Sequence, residues 1–112
     1  MDKLEKYRTL VEQILEKHYK PLSGNAEIET QVLFDRQHDH YQLLHVGWRD
    51  EEYPVYGCVV HIDIKNGKLW IQRDFTEEGV TLEFLEAGVP KEDIVLAFYS
   101  PEKRKLTEFA WA

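Results

Sequence analysis

YGCVVHIDIKNGKLWIQRD, residues 56–74, reads as a β-hairpin. Its centre, Asn66-Gly67, supplies two residues that tolerate positive φ, which a type I′ two-residue turn requires at both positions. Folding the chain about that turn pairs Ile64 with Leu69, Ile62 with Ile71 and Val60 with Arg73 on one face. Asp63 with Trp70 and His61 with Gln72 fall on the other. The first face is almost wholly aliphatic, and the second is polar with one large aromatic. A slip of one residue would set Ile and Leu against Asp and His, so burial fixes the register. The expectation is a half-buried antiparallel sheet.

Upstream, a strand is expected over 26–35, where Ile28, Thr30, Val32 and Phe34 alternate with Glu27, Glu29, Gln31 and Leu33. The polar turn Asp35-Arg36-Gln37-His38-Asp39 leads into a second strand over 40–48. Pro54 stands near the start of the third strand, where a missing amide donor does least harm. With 55–64 and 68–73 these make a four-stranded meander. Ahead of it, Leu4, Tyr7, Leu10, Val11, Ile14, Leu15 and His18 recur at spacings of three and four, one stripe of an amphipathic helix over 2–19. Asp2 and Glu5 have capping-box spacing, Pro21 ends the helix, and Ser23-Gly24-Asn25 forms a loop. The stripe lasts only about two and a half heptads, so it is expected to pack on the aliphatic face of the sheet rather than in a coiled coil.

Beyond the hairpin the period changes. Thr76 or Asp74 caps a helix whose first turn holds Glu77 and Glu78, favourable at the positive helix end. Val80, Leu82, Phe84 and Leu85 form its apolar side, and Gly88 sits where a left-handed C-terminal residue is expected. IVLAFY, residues 94–99, is expected as a further strand. Ser100-Pro101 opens a short helix to about Leu106. The fold class is α+β: an N-terminal helix, an antiparallel four- to five-stranded meander, a C-terminal helix and short final elements, in one domain over 1–112.

At 112 residues the chain can bury a core without metal or disulfide help. A composition of 43% hydrophobic and 31% charged residues is globular rather than disordered. Cys58 is the single cysteine, which excludes an intrachain disulfide and fits a reducing cytosol. Charged residues follow Met1 at once, and no apolar run approaches the roughly 20 residues that span a bilayer. The expectation is a cytoplasmic protein without a membrane partner. The net charge of −7 counts against nucleic-acid binding, whose affinity comes largely from phosphate neutralisation. Between residues 74 and 93 seven acidic side chains face Lys91 alone, a local charge of −6 suited to a basic protein partner.

Three constellations are candidates for chemistry. His38-Asp39-His40, near Asp35, has metal-ligand residue types, but no further ligand is set by spacing, and the group reads as a polar hairpin tip. His61, Asp63, Trp70 and Gln72 share the polar hairpin face. His61 with Asp63 could form a general-base pair or half a metal site, whereas a nuclease needs two or three converging carboxylates, usually with a lysine. A large aromatic on a wet face points instead to an interface. Lys103-Arg104-Lys105, flanked by Tyr99, Phe109 and Trp111, is a weak footprint for single-stranded nucleic acid. No P-loop, GxGxxG, zinc cluster or nucleophile triad is present, and Cys58 in its apolar run reads as inert packing. The residues therefore predict no catalytic set, no resident metal and no cofactor.

MDKLEKYR at the start, FDRQHDHYQLLHVGW, VYGCVVHIDIKNGKLWIQ, and GVPKEDIVLAFYSPEKRKLTEFA near the end together resemble the XisI family, named for the cyanobacterial fdxN element excision controlling factor. The likeness runs from Met1 to about Ala110. One departure is Asp74-Phe75-Thr76-Glu77, where family members often have Asp-Gly-Thr-Glu, which puts the strand-to-helix turn in question. The resemblance implies an α+β accessory factor of site-specific DNA element excision, linked with a recombinase and with a nuclease-like protein, XisH. It transfers no catalytic residues.

Together these readings predict a non-enzymatic regulator that binds a protein partner, an XisH-like protein or a recombinase. The expected surface combines His61, Asp63, Trp70 and Gln72 with Glu77, Glu78, Glu83 and Glu86; a homodimer through exposed strands is a further expectation. The alternatives are an antitoxin-like inhibitor of a nuclease partner, or a directionality factor whose Lys103, Arg104 and Lys105 contact DNA directly.

Overall fold

The computed structural model describes residues 2–19 and 27–112. The predicted helix stop at Pro21, the Ser23-Gly24-Asn25 loop and the strand start at Ala26 lie outside them. Helix α1, Lys3–Lys17, begins as its residues dictate: the Asp2 carboxylate accepts from the Glu5 amide at 2.7 Å. Strands β1 (Ile28–Asp35), β2 (His40–Arg49), β3 (Tyr53–Lys65) and β4 (Lys68–Asp74) form the expected antiparallel meander. Asn66 and Gly67 both take positive φ, 54° and 74°, as the β3–β4 turn requires.

The sheet has five strands in the order β1-β2-β3-β4-β5, and the fifth departs from expectation. Strand β5 is only Ile94–Val95 and runs parallel to β4, because helix α2 (Val80–Glu86) carries the chain back before it pairs. Ile94, Val95 and Leu96 are buried, whereas Phe98 and Tyr99 lie at the surface, so the chain turns after Leu96 instead of extending to residue 99. On its far side Val95 bridges to Ala110, whose amide donates to the Ile94 carbonyl at 2.9 Å.

Two β-bulges correct the predicted register. Counting from the β3–β4 turn holds through Ile62↔Ile71; then Gln72 is skipped, so His61 faces Arg73 and Val60 faces Asp74. In the β2–β3 ladder, Leu43 faces Val60 but Leu44 faces Cys58, which leaves Val59 over.

One face of the sheet is the core face. Val60, Ile62, Leu69 and Ile71 are completely buried there against Val11 and Leu15 of α1 and Val80 and Phe84 of α2. Each such side chain contributes about 1.5–3 kcal/mol relative to exposure. Polar side chains then fasten α1 at several points. The Tyr7 hydroxyl donates to Asp93 at 2.5 Å, Arg8 grips Asp39 with two bonds of 2.8 and 3.1 Å, and Lys17 and His18 both reach Glu83. Helix α2 starts later than predicted. Glu77 and Glu78 precede it, and Gly79 is its N-cap. Both expected capping residues still act: Asp74 accepts from the Val80 amide at 2.7 Å and from Thr76, whose hydroxyl accepts from the Gly79 amide. Helix α3, Pro101–Arg104, opens with Ser100 accepting from the Lys103 amide. No helix among the described residues is long and apolar enough to cross a membrane.

Candidate functional site

Strand alternation puts His40, Gln42, His61, Asp63, Trp70 and Gln72 on the face opposite α1 and α2. Asp63 stands at their centre, 8% exposed. Its Oδ1 meets His40 Nδ1 at 2.7 Å and His61 Nε2 at 2.9 Å, and its Oδ2 accepts from Gln72 Nε2 at 3.2 Å. The other nitrogen of His61, Nδ1, faces the Gln42 amide at 3.3 Å. Burial alone would lift the Asp63 carboxyl; the hydrogen bonds and charge of the two imidazoles outweigh it and hold the group below the ordinary aspartate range. The hydrogen bond to Asp63 raises His40 above the usual imidazole value.

The backbone explains this convergence. His40 and Asp63 are direct cross-strand partners, and His61 and Asp63 are two apart on one strand. The bulge at Gln72 lets its side chain approach Asp63 rather than pair across from His61. Spacing groups His40 with His38 at the hairpin tip; the structure sets it against Asp63 instead. The tip itself separates: His38 Nδ1 binds Asp35 at 2.8 Å, while Asp39, in the left-handed region at φ 58°, binds Arg8.

Trp70 is not the bare aromatic its sequence position implies. Lys65 Nζ sits 4.1 Å from the ring centroid and the Arg104 guanidinium 5.6 Å, both over the indole. The buried indole N–H has no acceptor among the described residues. The open aromatic surface lies further along the same face. Leu33 is 49% exposed, Trp48 52%, Tyr56 79% and Phe75 70%, with Phe75 under the Arg73 guanidinium at 5.0 Å. Alternation counted back from His61 does not place Tyr56 on this face, because the extra residue Val59 shifts the phase of β3.

The predicted acidic residues stand elsewhere. Glu77, Glu78 and Glu83 rim an open depression with Lys17, His18 and His45 on the helix-bearing face, and Glu86 is exposed at the end of α2. Glu83 is engaged by Lys17 at 2.9 Å and His18 at 2.5 Å. The structure thus divides the predicted partner surface between two faces of the sheet. In the basic triplet, Arg104 donates to the Tyr99 and Ala97 carbonyls and Lys105 pairs with Glu102 at 3.6 Å, which leaves Lys103 without an ion pair among the described residues.

Residues 1–111 match the XisI protein family. The chain belongs to the XisI family. A XisI-like protein from Anabaena variabilis ATCC 29413 is 38% identical, with 97% of this chain and 99% of that one covered and a TM-score of 0.91. The fdxN element excision controlling factor XisI from the same organism is also 38% identical, over 99% of this chain and 100% of that one, at a TM-score of 0.86. No curated protein is a significant match. The family's α+β architecture is the one described above. Against the XisI pattern, Phe75 needs no glycine-like backbone: it is absent from the residues with positive φ, and its amide donates to the Val59 carbonyl at 2.8 Å.

Proposed function

We propose that this XisI-family chain is a non-catalytic regulator of DNA element excision that works by docking on a protein, through the face of the sheet opposite α1 and α2. The observation that carries this reading is the exposed group Leu33, Trp48, Tyr56 and Phe75, continuous by strand alternation with the His40–His61–Asp63 cluster. Scattered apolar residues are normal on a surface, but several large aromatics on one open sheet face are typical of interfaces. Excision control as the setting follows from the family and from the solved excision controlling factor. The partner is a recombinase or a nuclease-like protein of the XisH type; a protein that grips DNA has a basic surface, and the net charge of −7 complements it. Direct DNA contact by the triplet at 103–105 is less favoured, because Arg104 and Lys105 are already occupied within the chain.

The test is affinity capture of the tagged chain from its host after nuclease treatment, with identification of what remains bound. A stoichiometric recombinase or nuclease-like protein, lost in the Trp48→Asp/Tyr56→Asp double variant, supports docking at this face. Recovery of nucleic acid alone before nuclease treatment, and of no protein after it, overturns the reading in favour of direct DNA binding.

A further inference from the structure

The cluster on the open face has a composition that neither docking nor packing calls for: two imidazoles and one carboxylate whose donor atoms all lie within 4.8 Å of one another. We infer that it is a divalent transition-metal site, with His40 Nδ1, His61 Nε2 and Asp63 Oδ1 as its protein ligands. A tetrahedral ion bound at about 2.0–2.2 Å needs ligand atoms roughly 3.4 Å apart. The two imidazole–carboxylate separations, 2.7 and 2.9 Å, must open by about 0.5–0.7 Å to reach that spacing. Rotation of three side chains on fixed strand positions covers such a change.

The surroundings match what ligand groups require. A metal-bound imidazole carries its proton on the other nitrogen and needs a partner there; Gln42 stands 3.3 Å from His61 Nδ1 and can present its amide oxygen. A ligating carboxylate is steadied through its second oxygen, which Gln72 already holds at 3.2 Å. Two neutral imidazoles with one carboxylate favour zinc, cobalt or nickel; magnesium and calcium select oxygen ligands. His40 is largely exposed, its side chain at 55%, so a fourth position opens toward solvent, where a water or a partner's side chain completes the shell.

The experiment uses the untagged full chain alone, so its result is independent of whether a protein docks. Cobalt(II) is titrated by visible absorbance and zinc(II) by calorimetry, while NMR follows the histidine rings. The inference expects one ion per chain, with shifts at His40 and His61 and none at His18, His38 or His45. His40→Gln and His61→Gln should each weaken binding by about 100-fold or more, His38→Gln should not, and excess magnesium should not compete. Circular dichroism of His40→Gln, a change at an exposed side chain, separates lost binding from lost folding. Absence of cobalt or zinc binding up to millimolar concentration overturns the inference. So does binding that persists undiminished in His40→Gln, or that is lost instead with Cys58→Ser.

Discussion

Gly47 and Tyr7 show how single positions fix this fold. Gly47 has φ 154°, and a Cβ there would come 1.9 Å from the Glu27 carbonyl oxygen. That carbonyl accepts from the Trp48 amide at 3.1 Å, so the backbone cannot move aside without losing a bond. Gly47→Ala is expected to destabilise the protein by about 1–3 kcal/mol in urea unfolding; an unchanged midpoint would show that the β1 end yields freely. Tyr7 donates to Asp93, a buried carboxylate that Lys3 also reaches at 2.8 Å. Burial, together with that neighbouring charge, pushes the phenol well above its ordinary value, so it stays a donor throughout the stable pH range. Tyr7→Phe keeps the ring and removes the donor, and should cost about 1–2 kcal/mol; a neutral result in the same assay would mean Lys3 suffices.

At the level of elements, the N-terminal helix, the four antiparallel strands and the Asn66-Gly67 turn were legible because each rests on local periodicity or turn chemistry. What was not legible depends on tertiary register. Carried back from the pairing Arg49↔Tyr53, an unbroken β2–β3 ladder would set His40 opposite Ile62; the extra residue Val59 shifts it onto Asp63. A bulge leaves no clear mark in a run such as GCVVHI, so the cluster could not be assembled from spacing. The parallel sense of β5 was hidden for a similar reason, since IVLAFY specifies an extended apolar segment and not the side from which it arrives. The contact between α1 and α2 has a pH signature. Burial alone would raise Glu83, but hydrogen bonds from His18 and Lys17 more than offset it and hold the carboxyl below the usual glutamate range. A depressed folded pKa means that the pairing stabilises above the unfolded value and is lost as pH falls through the folded one. Stability should therefore decline on acidification below about pH 4.5, with a shallower slope in Glu83→Gln and a loss of about 1 kcal/mol at pH 7; parallel slopes for the two proteins would place the titration elsewhere.

Over the whole molecule, Glu77, Glu78 and Glu86 stand on the face opposite the exposed group Leu33, Trp48, Tyr56 and Phe75, so the proposed docking gives the two groups different expected roles. Glu77, Glu78 and Glu86 are exposed but lie away from the proposed docking face, so on that proposal they are expected to act on a basic partner at long range, through association rate. Reversing all three to Lys should slow association by about 10-fold at low salt and leave dissociation nearly unchanged, as read by surface plasmon resonance. An effect confined to dissociation would place these residues in the contact itself. The two margins of the sheet also differ: β1 is an eight-residue strand paired with β2, whereas β5 has two residues and is closed by Ala110. In a homodimer formed margin to margin, the longer β1 is the end expected to pair. An assembly of that kind is expected to close at the second molecule, giving pairs rather than a fibre.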